Sequence, residues 1–201
     1  TYGDGLDGAV ICGTGSQSTL GLIAGKIVSN TLRVIVGDHY RSRLLRMNAF
    51  SAYQKRIPNP RTESDWLTRD KEIVDFCTKN KYCSFTFSVN GYRTLFDVLS
   101  FIQKDKNVRR IPKELPLYFI AGGEDPVGNY GKSVRKVASA YKKAGIEDVS
   151  LKIYPDDRHE VLNELDRDQV YRDVLAWLDA CNRKPKAELL QDFRIKNDTG
   201  E

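Results

Sequence analysis

Three short apolar runs, each cut off by glycine or proline, constrain this chain more than any other feature of its 201 residues. Ala9-Val10-Ile11-Cys12 is closed by Gly13-Thr14-Gly15, and Leu117 to Ala121 is introduced by Pro116 and stopped by Gly122-Gly123. Neither run has a polar face, so both read as buried strands of a parallel sheet. The third run, Val149 to Tyr154, alternates apolar and polar residues and ends at Pro155, which predicts a wetter strand at a sheet edge. Val134, Val137, Ala138 and Tyr141 share one face of a helix that Gly145 terminates. Val170, Val174, Leu178 and Cys181 make a similar stripe, with Pro185 beyond its end. Strand, helix, strand, helix is the order of an open α/β sheet.

Residues 17–110 separate the first two runs, far more than a crossover connection needs. Asp65 to Asn80 has a helical pattern carrying Trp66, Leu67, Ile73, Val74 and Cys77. Asn90 is placed to cap a second helix with Leu95, Val98, Leu99 and Ile102 as its buried stripe. Aromatic residues gather around both, at Phe50, Tyr53, Phe85, Phe87 and Tyr92. A helical insertion on an α/β sheet is expected to cover an active site as a lid, with Phe50, Tyr53, Phe85 and Phe87 facing the substrate. The expected division is therefore a core strand region at 1–16, a lid at 17–110, the rest of the core at 111–183 and a polar tail at 184–201.

Composition narrows the function classes. At 40% hydrophobic and 29% charged the chain can bury a core. The net charge of +5 is spread along the chain. The basic segments at 107–110 and 183–186 are short and lack interleaved aromatics, so no nucleic-acid partner is expected. No apolar run suggests the roughly 18 residues of a membrane span, and no signal peptide is visible. Four cysteines without a Cys-x-x-Cys pair, and only two histidines, argue against a disulfide scaffold or a metal site. The expectation is a cytoplasmic protein with reduced, buried thiols and no cofactor.

The candidate chemistry lies at strand ends. Asp125, in Gly122-Gly123-Glu124-Asp125-Pro126-Val127, follows the second strand, where open α/β sheets place catalytic groups. A turn aspartate is the plain alternative. His159 follows the third strand, so adjacent loops would bring the two residues face to face. An aspartate oriented on a histidine is the base half of a Ser-His-Asp triad, in the order acid before histidine. Ser16 and Ser18 follow a strand but lack the flanking glycines of a nucleophile turn, and an N-cap or loop role suits them. Gly13-x-Gly15-x-x-Ser18, with Asp38 after Val34-Ile35-Val36, is a loose dinucleotide fingerprint and a rival reading. His39 is expected on the surface or in the lid.

Gly123 to Val127 and Arg158-His159-Glu160-Val161-Leu162-Asn163-Glu164 resemble the acid and histidine segments of α/β-hydrolases. The resemblance is to lysophospholipase and monoacylglycerol-lipase-like serine hydrolases, also labelled serine aminopeptidase-like. Asp7 to Gly15 is similar to the strand before that family's lid, and Arg61 to Asp70 to a lid segment of its bacterial members. The resemblance implies a parallel α/β-hydrolase core with a mostly helical lid, Asp125 and His159 as catalytic residues, and an ester or lipid substrate without cofactor. The family's Gly-x-Ser-x-Gly elbow and oxyanion-hole His-Gly segment do not occur in this sequence. The chain is therefore expected to be the C-terminal portion of a hydrolase domain, inactive without an N-terminal portion that carries the serine. A non-catalytic binding module on a degenerate hydrolase fold is the alternative.

Overall fold

All three apolar runs form strands: β1 Ala9–Cys12, β2 Leu117–Gly122 and β3 Val149–Tyr154. The computed structural model describes residues 3, 5–50 and 52–183, with backbone alone at 48–50 and 183. The expected polar tail at 184–201 lies outside the described residues. The strands make one parallel sheet in the order β1-β2-β3. Ala9 pairs with Leu117, Leu117 with Val149 and Gly122 with Tyr154.

Every residue of β2 is buried, as the unbroken apolar run requires of a central strand. Leu117, Phe119 and Ala121 point to one face, where Val134 and Ala138 of α6 (Lys132–Lys143) cover them. Tyr118 and Ile120 point to the other, against Val170 of α7 (Arg167–Arg183), Val161 and Tyr154. Trp177 of α7 stacks on Tyr118 at 5.6 Å. β3 lies at the outside of this sheet, and its polar Lys152 pairs with Asp173 of α7 at 2.5 Å. The alternation of β3 is accounted for.

Five helices lie between β1 and β2: α1 Thr19–Val36, α2 Arg43–Phe50, α3 Lys71–Lys79, α4 Val89–Ile102 and the short α5 Asp105–Val108. α1 packs against α4, and Leu45, Val89 and Tyr92 form a small separate core with Val28, Leu32 and Phe96. Several local expectations are corrected by this region. The Asp65 to Asn80 helix starts only at Lys71, because the Asp70 carboxylate accepts from the N–H groups of Glu72 and Ile73. Ser88, not Asn90, caps α4, its hydroxyl accepting from Gly91 N at 3.2 Å. Asn90 lies inside the first turn and bonds Arg93.

Of the expected stripe, Leu95, Val98 and Ile102 are exposed and Leu99 is half-buried, since α4 turns Tyr92 and Phe96 toward α1. α1 was not expected as a helix. Among the described residues it is long and apolar enough to cross a membrane by length and composition, contrary to the expectation of no such run. It packs on α4 and carries Lys26 and Arg33, while Leu20, Ile23, Ile27 and Val34 are exposed. Of the thiols only Cys77 is buried; Cys12 and Cys83 are exposed and Cys181 is half-buried. Burial and the neighbouring Cys83 push Cys77 up to about 11.

Candidate active site

The parallel pairing of Gly122 with Tyr154 ends β2 and β3 side by side, so the loops that follow are interlaced. Gly123 N donates to Tyr154 O at 2.7 Å, and Glu124 N to Asp157 O at 2.9 Å. A Cβ on Gly122 would lie 2.1 Å from the carbonyl oxygens of both Asp157 and Arg158. Only glycine lets the histidine loop lie across the end of β2.

Asp125 is fully buried beside that loop. Its Oδ1 accepts from Val127 N at 2.8 Å, and its Oδ2 lies 3.1 Å from His159 Nδ1. With the ring proton on Nδ1, the histidine donates to the carboxylate, which fixes the tautomer and leaves Nε2 to accept a proton. The two expected residues are thus in direct contact, and the turn-aspartate role is filled at the same time by Oδ1.

The Cε1–Nδ1 edge of His159 also meets the turn that follows β1. Gly13, the residue after β1, has φ +62°, and a Cβ there would sit 3.0 Å from His159 Cε1. This glycine makes room for an imidazole. The dinucleotide reading loses its other support as well, because Val34 to Val36 are the last turn of α1 and Asp38 pairs with Arg33 at 3.1 Å. Ser18 caps α1, accepting from Gly21 N at 3.0 Å, and Ser16 is half-buried in the preceding loop. His39 is exposed in the turn after α1.

Trp66 packs on the His159 ring at 5.2 Å between centroids, and Tyr53 packs on Trp66 at 4.9 Å. Burial first, and then the charge of Asp125, raises the Tyr53 hydroxyl above its ordinary value. Of the four expected lid aromatics, Tyr53 is therefore beside the pair. Phe85 and Phe87 pack edge-to-face at 5.1 Å, and Phe87 meets Tyr92 at 5.6 Å, in the separate α1/α4 region. The Phe50 side chain lies outside the described residues. Cys12, at the end of β1, is pushed up to about 11 by desolvation and by Asp125 and Glu160.

A cavity of about 470 Å³ is lined by Glu124 and Arg158, the chain neighbours of Asp125 and His159, and by Tyr53, Arg56, Arg69 and Tyr130 among others, while the pair itself is not in its lining. The Arg56 guanidinium lies 3.7 Å over the Tyr130 ring. Asp157, Glu164 and Asp166 bring carboxylate oxygens within 4.8 Å of one another, a donor set that suits a hard cation. Arg69 bonds all three, at 2.7, 2.9 and 2.9 Å, so a guanidinium supplies the positive charge. Trp66, Arg69 and Glu164 had not been singled out as site residues. They stand in the segments at 61–70 and 158–164, but neither segment alone carries a signal that they meet.

The family model described as Serine aminopeptidase, S33 matches residues 1–166. Among solved structures, a thermostable carboxyl esterase from Bacillus coagulans in complex with glycerol is 27% identical, with a TM-score of 0.81 over 90% of this chain and 59% of its own. A lipase in an open form is 26% identical, with a TM-score of 0.78 over 92% of this chain and 60% of its own. A soluble variant of monoglyceride lipase from Saccharomyces cerevisiae, 18% identical with a TM-score of 0.56 over 88% of this chain and 56% of its own, shares the fold. The chain thus spans less than two-thirds of the length of these structures. No curated protein matches it.

Proposed function

Because this chain belongs to the serine aminopeptidase (S33) family of α/β-hydrolases, we propose that it supplies the acid and the base of a serine hydrolase acting on carboxylic esters. The observation that carries the reading is the 3.1 Å contact of His159 Nδ1 with the buried Asp125 carboxylate at two neighbouring strand ends. His159 takes the proton of an attacking serine and later returns it to the leaving alcohol, while Asp125 holds the ring and stabilises the imidazolium. Water then attacks the acyl-enzyme and regenerates the serine, so the cycle balances with ester and water alone. The sequence holds no Gly-x-Ser-x-Gly, and in this reading the serine and the oxyanion hole come from residues outside it.

The aromatic side of the site, Tyr53 and Trp66, favours an acyl chain over a polar peptide, and a monoacylglycerol or lysophospholipid suits it. The esterase and lipase likenesses at 27% and 26% identity support the ester class. The test compares the intact protein with His159→Ala on nitrophenyl esters of short and long acyl chains and on an aminoacyl nitroanilide. The expected result is turnover of the esters, with long chains preferred, and a loss in the variant of about a thousandfold or more. Nitroanilide turnover exceeding ester turnover would replace the ester reading with a peptidase. Unchanged ester turnover in the variant would remove His159 from the chemistry.

A further inference from the structure

Residues 61–70 run across the histidine loop and are tied to it through residues 65–69. Glu160 N donates to Leu67 O at 2.7 Å, and Thr68 Oγ1 donates to Asn163 O at 2.9 Å. Arg158 Nη1 donates to Asp65 O at 2.6 Å and to Thr68 O at 3.2 Å. Both neighbours of His159 are therefore held by this strap, and its Trp66 packs on the His159 ring.

At the centre is the fully buried Glu164. One carboxylate oxygen accepts from the N–H groups of Arg158 and Arg69, at 2.9 and 3.1 Å. The other accepts from Arg69 Nε at 2.9 Å. Arg69 Nη2 reaches on to Asp157, also fully buried, at 2.7 Å. A buried carboxylate with this many donors has one favourable orientation, because each lost bond leaves an uncompensated charge in a dry site. That orientation is shared by the residue before His159 and by the strap in front of it.

We propose that Arg69 and Glu164 are positioning residues: the ion pair of half-buried Arg69 with the fully buried Glu164 carboxylate locks the strap at 61–70 onto the histidine loop and so holds His159 against Asp125. The proposal rests on His159 acting as the base of the hydrolase. A segment that resembles part of a lid would then be a fixed wall of the site, and any opening would have to occur elsewhere.

The experiment measures ester hydrolysis by the intact protein, per active site titrated with a fluorophosphonate, in Arg69→Met, Arg69→Lys and Thr68→Val. Thr68→Val keeps the side-chain shape and removes only the hydroxyl bonds, so it serves if Arg69→Met does not fold. Arg69→Met is expected to lower kcat by about 30-fold or more with KM within about twofold, and Arg69→Lys to recover part of the loss. Thr68→Val is expected to lower kcat about fivefold with KM likewise unchanged. The low-field proton resonance of His159 Nδ1 should weaken in the same order. Unchanged kcat in folded Arg69→Met, or in Thr68→Val should the first variant not fold, would overturn the proposal. A rise in KM at constant kcat would also overturn it, by placing Arg69 on the substrate. The catalytic reading fails separately, if His159→Ala retains normal kcat.

Discussion

At the scale of single residues, the site is set by what two glycines leave out. Gly122 clears the path of the histidine loop over β2, and Gly13 clears the space in which the imidazole stands. In the sequence both glycines were legible only as stops to apolar runs, and Gly13 also invited a nucleotide reading. Nothing local says that the partner of Gly13 is a histidine 146 positions later. Asp125 and His159 were legible because the strand-end rule places them without any contact information. Gly13→Ala puts a Cβ 3.0 Å from His159 Cε1 on a backbone with φ +62°. The positive φ costs about 1 kcal/mol of stability. The displaced ring should cost about 10- to 100-fold in kcat of the intact protein. Steady-state kinetics beside a thermal melt check this; a stability loss with kcat intact would show that the ring tolerates the shift.

At the scale of elements, pairing between distant segments decides what periodicity could not. The strands and the face of α6 were legible, but the face of α7 only in part: Val170 and Val174 pack on the sheet as expected, while Trp177 packs there and Leu178, expected in that stripe, is exposed. α1 carried no helix signal that was read, and the buried face of α4 differs from its expected stripe, because the two helices bury short stretches against each other and leave apolar residues such as Val98 and Val34 exposed. Ser88 took the cap that the pattern assigned to Asn90, and Asp70 caps α3 where the pattern had the helix already under way. The strap and the histidine loop carry a testable charge balance. Burial first, then Asp166 and Glu164, push the Asp157 carboxyl up to about 7, against the opposing charge of Arg69. Its Oδ2 has no hydrogen-bond partner. The folded state thus keeps a proton that the unfolded chain releases near the ordinary carboxylate value. Stability tied to this group is full below that value and is lost as pH rises through about 7. Asp65 runs the other way: burial raises it, but hydrogen bonds from Thr62 and Arg61 together hold it low, so its contribution is lost on acidification. Asp157→Asn mimics the protonated form, and melting between about pH 5 and about pH 8 should show a smaller fall in Tm than the wild type. An equal fall in both would mean that Asp157 does not titrate there.

At the scale of the whole molecule, three parallel strands and seven α-helices among the described residues bring a buried acid and a histidine together, and the chain covers less than two-thirds of the length of the similar solved structures. The fold class was legible from the run of strand and helix signals, because an unbroken apolar run closed by glycine suits a strand of a parallel sheet. β2 is buried throughout as expected, whereas β1, also expected buried, is half-buried with Cys12 exposed because it ends the order β1-β2-β3. The five helices between β1 and β2 were legible as an insertion but not in their packing, which depends on contacts between distant segments, such as α1 with α4, that no short window contains. The central claim is that His159, held by Asp125, is the general base toward a serine contributed by residues outside this sequence. The most direct measurement is fluorophosphonate labelling of the intact protein against its His159→Ala and Asp125→Asn variants, each verified as folded by circular dichroism. The account predicts one labelled serine in the wild type, outside these 201 residues, with labelling abolished in His159→Ala and strongly slowed in Asp125→Asn. Labelling at the wild-type rate in folded His159→Ala, or a label on Ser16 or Ser18, would contradict it.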